Sequence, residues 1–127
     1  MQTRSRPLNQ QGFTLLELLS VMIIMSVLAS VSIHRFHLLS DTAGIQAMAS
    51  AISELNVRET LTWTNQKLSP DGWTQDADVF AQLDANLGSD YQWQSGPTIS
   101  GGTLKFNSNS VHLVRNPSTS GSAGTWK

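Results

Sequence analysis

Cysteine is absent from this 127-residue chain. That excludes a disulfide framework, a thiol nucleophile and any cysteine-based metal site. It leaves the compartment open, because exported domains can lack disulfides. Proline is scarce, with four residues and none between Pro7 and Pro70, so no proline ring interrupts a helix in that stretch. Neither sign of charge dominates. Eight Lys and Arg against nine Asp and Glu leave a net charge of -1, which offers no whole-chain argument for nucleic acid or an anionic membrane surface. The length has room for one small domain.

What is present is unevenly placed. Phe13 to Ile33 holds most of the strong hydrophobes, with Glu17 its only charge, while the rest is rich in Ser, Thr, Asn and Gly. Ahead of the apolar run, residues 1–12 carry Arg4, Arg6, Pro7 and the amides Asn9, Gln10 and Gln11, with no acid to offset the arginines. As a helix, Phe13 to Ile33 measures roughly 30 Å, about the thickness of a bilayer's hydrocarbon core. It is too long for an ordinary secretory h-region, and no small-residue cleavage pattern follows it. The basic leader favours a cytoplasmic N-terminus, although Arg35 on the far side weakens the asymmetry.

Glu17 is affordable in lipid. An acid at a helix centre costs on the order of 3 kcal/mol, and each Leu, Ile or Val returns about 0.3–0.6. The apolar run outweighs the acid, and Glu17 lies near one end, where the cost is smaller. Two readings of its partner compete. In one, Thr14 and Glu17 form a capping box at the helix start, where the helix dipole also favours an acid. In the other, the leader is removed after Gly12, and Glu17 of a neighbouring copy neutralises the free amine of Phe13. Spacing alone does not choose between them.

The run Gly12-Phe13-Thr14-Leu15-Leu16-Glu17, preceded by a short basic leader and followed by the apolar helix, resembles the class III signal of type IV prepilins and pseudopilins. The resemblance covers about the first third of the chain. It implies that a membrane-embedded prepilin peptidase cuts after Gly12 and N-methylates Phe13, and that Glu17 helps recruit and register subunits. It also implies the partners: other copies or related pilins in a helical filament, an inner-membrane assembly platform, and lipid before assembly. Many members carry a proline about two-thirds along the apolar run, near His34 here; its absence makes local helix melting in a filament less expected.

The helical pattern continues past Ile33. His34, Arg35 and His37 mark a polar interface, and Leu38, Ile45, Met48, Ile52 and Leu55 form a stripe at three- and four-residue steps, running to about Gln66. Gly44 is a weak point at which the rod is expected to bend. Ser69-Pro70-Asp71-Gly72 is a turn signal. Within the membrane run, Ser26, Ala29 and Ser30 are small residues suited to close helix packing. After the turn, Asp76 or Asp78 is expected to cap a short helix through about Leu87, with Gly88 at its C′ position. The period then changes to two. Thr98-Ile99-Ser100 and Thr103 to Phe106 read as a hairpin turning at Gly101-Gly102. Ser108-Asn109-Ser110 reads as a second turn, leading into Val111 to Arg115, and Tyr91-Gln92-Trp93 as a further strand. Residues 116–127 are expected to be loop or mobile tail, with Trp126 docking it.

The organisation expected is therefore a leader over 1–12, a membrane or filament-core helix over 13–33, and a periplasmic or extracellular head over 34–127. Within the head, 34–67 is helix, 68–90 loop and short helix, 91–115 sheet and 116–127 tail. The fold class is α+β and pilin-like: a long N-terminal helix on an antiparallel sheet of three to four strands.

Other constellations are weaker. His34 and His37, three apart on a helix, are explained more simply by interfacial position than by metal binding. Some secretion pseudopilins use calcium to hold the head, but no dense acidic loop of that type appears. Asp71, Asp76, Asp78, Asp84 and Asp90 are assigned to capping and solvation, so no cofactor is expected. No nucleophile motif, phosphate loop or catalytic carboxylate pair stands out, and no enzyme is expected. Trp63, Trp73, Trp93 and Trp126 are read as core or interface rather than stacking platforms. The expected function is a filament subunit serving adhesion, motility or DNA uptake. A type II secretion pseudopilin is the alternative within the class, and a monomeric membrane-anchored DNA- or sugar-binding module the alternative outside it.

Overall fold

The computed structural model describes residues 12–127. Its elements run α1 (Leu15–Leu68), α2 (Asp76–Gln82), β1 (Tyr91–Thr98), β2 (Gly101–Phe106), β3 (Asn109–Asn116) and β4 (Thr125–Trp126). This is the α+β arrangement expected, with a four-stranded antiparallel sheet in the order β1-β2-β3-β4. The chain divides into two compact units, the second beginning at Ser40.

In the first unit the helix is apolar on every side, and its large hydrophobes, from Phe13 to Leu39, are all about half exposed or more. An 18-residue window of this helix reaches a mean hydropathy of 2.2, and the helix is long and apolar enough to cross a membrane.

The second unit buries a core of Met48, Ala51 and Leu55 from α1 against Leu104, Leu113 and Trp126 from the sheet. The buried positions of α1 are Gly44, Met48, Ala51, Leu55, Glu59 and Gln66. The expected stripe therefore holds at Met48 and Leu55, with Ile52 packed against the core. It fails at Ile45, which is 68 % exposed. Gly44 takes the inward place instead. The helix passes through it without a break, and Asn109 lies where a Cβ would project; the glycine makes room for a neighbour.

Helix α1 stops where proline demands. The Ser69 N–H and hydroxyl both donate to the Gln66 carbonyl, at 3.1 and 2.7 Å, and Gly72 closes the turn at φ 66°. Helix α2 is shorter than expected, ending at Gln82. The following segment runs extended, and its partly buried residues, Leu83, Ala85 and Leu87, recur with period two. Arg58 explains this change. Its guanidinium donates to the carbonyls of Asp84 and Asn86 at 3.0 and 2.8 Å, satisfying oxygens that a longer helix would have bonded itself. Gly88 is left-handed at φ 103°, but it lies outside any helix.

The hairpin turns at Ile99-Ser100 rather than at Gly101-Gly102, and both glycines lie in β2. They are glycine for lack of room: a Cβ on Gly101 would overlap the Leu113 carbonyl, and one on Gly102 would press on Ser95 and the Trp93 ring. The second turn is Asn107-Ser108, with Asn107 at φ 52°, a left-handed position that asparagine tolerates. Tyr91 to Trp93 is the start of β1 rather than a separate strand.

The tail is anchored. Thr125–Trp126 pairs with Arg115 and Asn116, and Asn56 clasps Trp126 by accepting its N–H at 2.7 Å and donating to its carbonyl at 3.1 Å. Ser118 is buried as well. The cause is a polar network beneath the tail, described below.

Candidate processing and assembly site

Gly12, Phe13 and Thr14 precede the helix in non-helical backbone. Thr14 is the N-cap. Its carbonyl accepts the first helical bond, from Leu18 N–H at 3.1 Å. Its hydroxyl accepts Glu17 N–H at 3.2 Å, and its own N–H donates to Glu17 Oε2 at 2.8 Å. This is the reciprocal capping box that the spacing allows, with two otherwise orphaned donors satisfied. Gly12, Phe13, Thr14 and Glu17 together line one hollow of about 390 Å³. Phe13 itself is 90 % exposed. The structure thus brings three of the sequence-selected residues to one place at the helix start. Residues 1–11 of the leader lie outside the described residues.

The small residues of the membrane run are exposed along the helix. Ser26 returns its hydroxyl to the Ile23 carbonyl at 2.8 Å, as Ser20 and Ser32 do to Leu16 and Leu28, also at 2.8 Å. A serine so bonded carries no unsatisfied donor into lipid. Ala29 and Ser30 lie on the same run, one helical turn on from Ser26.

In the head, sequence reasoning missed the polar centre. Glu59 and Arg115 have fully buried side chains and form an ion pair. Arg115 Nε also donates to Glu59 Oε2 at 3.1 Å, and its other nitrogens reach Asp76 at 2.7 and 2.8 Å. Trp126 Nε1 donates to Glu59 Oε2 at 3.1 Å, and the Ser118 N–H and hydroxyl donate to Asp76 at 2.6 and 2.7 Å. Burial pushes the Asp76 carboxyl up, but the hydrogen bonds from Arg115 and Ser118 outweigh it and hold it at about 2. Burial alone would lower the Arg115 guanidinium; Asp76 and Glu59 raise it instead. The signal for this cluster was present. Glu59 falls one turn beyond Leu55 on the buried stripe, and Arg115 alternates in phase with Leu113.

Neither Asp76 nor Asp78 caps α2: its N-cap is Gln75, with no side-chain cap bond, and both aspartates lie in the first turn. Each indole N–H is committed to the chain's own oxygens: Trp63 to Thr119, Trp73 to Ser118, Trp93 to Ala85 and Trp126 to Glu59. Among the described residues no group of three or more His, Asp or Glu side chains comes together as a metal site. Asp78 is held below the usual carboxylate range by the Thr74 hydroxyl and then by the Gln75 amide.

Comparison with known proteins gives a result confined to the N-terminus. A family model described as the prokaryotic N-terminal methylation motif matches residues 7–33. No curated protein and no solved structure gives a significant match. The matched segment contains the capping box, the residues lining the hollow at the helix start and the apolar helix as far as Ile33. The chain carries the prokaryotic N-terminal methylation motif, the class III prepilin signal of type IV pilins.

Proposed function

We propose that this chain is a structural, non-catalytic subunit of a type IV pilus-like filament. Prepilin peptidase cleaves it after Gly12 and N-methylates Phe13, and it then assembles through its N-terminal helix. The observation that carries this reading is an apolar helix of membrane length, exposed on all sides, with a single acid one turn from the cleavage point. Before processing, the helix anchors the chain in the inner membrane. Leaving the bilayer is tolerable only if that surface is reburied against like helices.

Processing changes the chemistry at the helix start. Hydrolysis of the Gly12–Phe13 peptide bond converts an uncharged amide into an amine, and methylation leaves that amine able to carry a proton. In the isolated chain Glu17 is satisfied by Thr14. In an assembled filament the Phe13 ammonium of a neighbour supplies a full opposite charge, which in an apolar setting outweighs neutral hydrogen bonds. Glu17 thereby gives the filament its register. Ser26, Ala29 and Ser30 let adjacent helices approach closely, and the head faces whatever the filament touches.

The test is the mature N-terminus, read by mass spectrometry from hosts with and without prepilin peptidase. We expect methylated Phe13 at the terminus in the first host and intact Met1 in the second. Intact Met1 in both refutes the reading. Filaments sheared from the cell surface indicate a pilus; polymer confined to the periplasm indicates a secretion pseudopilus.

A further inference from the structure

Helix α1 starts at one defined residue, and that start lies just beyond the bond that processing breaks. With Thr14 as N-cap, Leu15, Leu16 and Glu17 are the first three helical positions. The Thr14 carbonyl is the one engaged by the first helical bond, from Leu18 N–H at 3.1 Å. Among the described residues none donates to the Gly12 carbonyl, and both Gly12 and Phe13 lie in exposed, non-helical backbone. A Cβ on Gly12 would meet nothing within 4 Å.

A rival start lies two residues upstream. Glycine ranks close to threonine as an N-cap, and an N-cap residue lends its own carbonyl to the first helical bond. A helix capped at Gly12 would therefore tie the Gly12 carbonyl to Leu16 N–H and make Phe13 its first residue. Side chains decide between the two starts. Begun at Thr14, the helix has Glu17 at its third position. That carboxylate accepts Thr14 N–H at 2.8 Å, while the Thr14 hydroxyl accepts Glu17 N–H at 3.2 Å. Begun at Gly12, it would have Leu15 at the third position and no hydroxyl at the cap, so neither bond could form.

The choice bears on the chemistry of cleavage. Hydrolysis adds the hydroxyl of a water to the Gly12 carbonyl carbon and its proton to the Phe13 nitrogen. On the way the carbonyl oxygen becomes negatively charged and needs donors from the peptidase. A helix begun at Gly12 would point that oxygen at Leu16 instead. We propose that Thr14 is a positioning residue for cleavage: its capping box starts the helix downstream of the Gly12–Phe13 bond and leaves the scissile carbonyl open to the peptidase. This role rests on the processing reading above and names the residue that keeps the bond accessible.

The experiment measures initial rates of leader release, by mass spectrometry, from the full-length chain in lipid vesicles with purified prepilin peptidase. NMR of the same variants in detergent micelles, without peptidase, reads the Phe13 Cα shift. Thr14→Val keeps the side chain's shape but removes its oxygen. We expect its KM to rise about two- to fivefold with kcat unchanged, the result of a smaller cleavable population once the N-cap is lost. Its Phe13 Cα shift should move towards helical values. Thr14→Ser and Thr14→Asp cap as well or better, and both should be cut at the rate of the unaltered chain with Phe13 non-helical. Cleavage of Thr14→Val at the unaltered rate overturns the proposal. So does slow cleavage of Thr14→Val with the Phe13 shift unmoved, which assigns the hydroxyl to direct contact with the peptidase. Failure of the unaltered chain to be cut at Gly12–Phe13 overturns the processing reading itself, and this role with it.

Discussion

The two units of this chain treat their apolar side chains in opposite ways: the first leaves them exposed and the second buries them. From Phe13 to Leu39 the large hydrophobes face outward and the one acid, Glu17, is satisfied among the described residues by Thr14 at its own helix start. Beyond Ser40 the same helix turns Met48, Ala51 and Leu55 inward and carries Glu59 in with them. One stretch of α-helix thus obeys two solvents. The exposed apolar half awaits lipid or another helix, whereas the head supplies its own cover, including a full counter-charge for its buried acid. An acid in apolar surroundings needs a partner in either place. Arg115 of the same chain provides it in the head, and on our reading a second subunit's Phe13 provides it in the stalk.

Glu17→Ala tests that contrast most severely. It should reduce sheared filaments on the order of a hundredfold, because a neighbour's Phe13 ammonium loses its counter-charge in an apolar setting, while the head melts as before. Normal filament yield from Glu17→Ala would break the comparison. The counterpart in the head is Arg115→Met, which strands Glu59 and Asp76 together. Removing one partner of a buried pair costs about 3–5 kcal/mol, and thermal melting followed by circular dichroism should fall by more than 10 °C or so. A fall of only a degree or two would mean that water, rather than Arg115, satisfies these carboxylates.

Apolar truncations sharpen the comparison. Leu55→Ala opens a cavity in a fully buried site and should cost the head about 3 kcal/mol. Leu28→Ala, at a site 58 % exposed, should leave the head's denaturant midpoint unmoved. The mildest effect concerns pH. The Asp76 carboxyl, held at about 2 in the folded head against 3.8 ordinarily, contributes stability that is fully present above pH 4. It is lost as pH falls towards 2. The loss amounts to about 2 kcal/mol. Urea midpoints measured by tryptophan fluorescence between pH 5 and 2 should show it, and Asp76→Asn should flatten the slope.

The elements themselves were largely legible. Phe13 to Ile33 announces a membrane-length helix by hydropathy alone, the lack of proline from Pro7 to Pro70 carries it onward, and alternation at Leu104, Phe106, Val111 and Leu113 marks strands. The misjudged places share a cause: local signals were outvoted by distant groups. Gly101-Gly102 looks like a turn, yet both glycines serve the close approach of Leu113 and Trp93. Leu83 and Leu87 fit a helix, yet Arg58, some 26 residues away, holds the intervening carbonyls in extended chain. The polar tail looks mobile, yet Asp76 takes up Ser118 and Glu59 takes up Trp126.

The methylation motif, the apolar helix and the solitary acid near its start are written in the order of residues alone. These depend on composition and on spacings of a few residues, within reach of a single helical turn. Which charges are buried and where the hairpins turn were settled by packing between distant segments. Those outcomes join positions as far apart as Glu59 and Arg115, and whether such groups meet depends on how the sheet packs on the helix. Spacing along the chain carries no record of that.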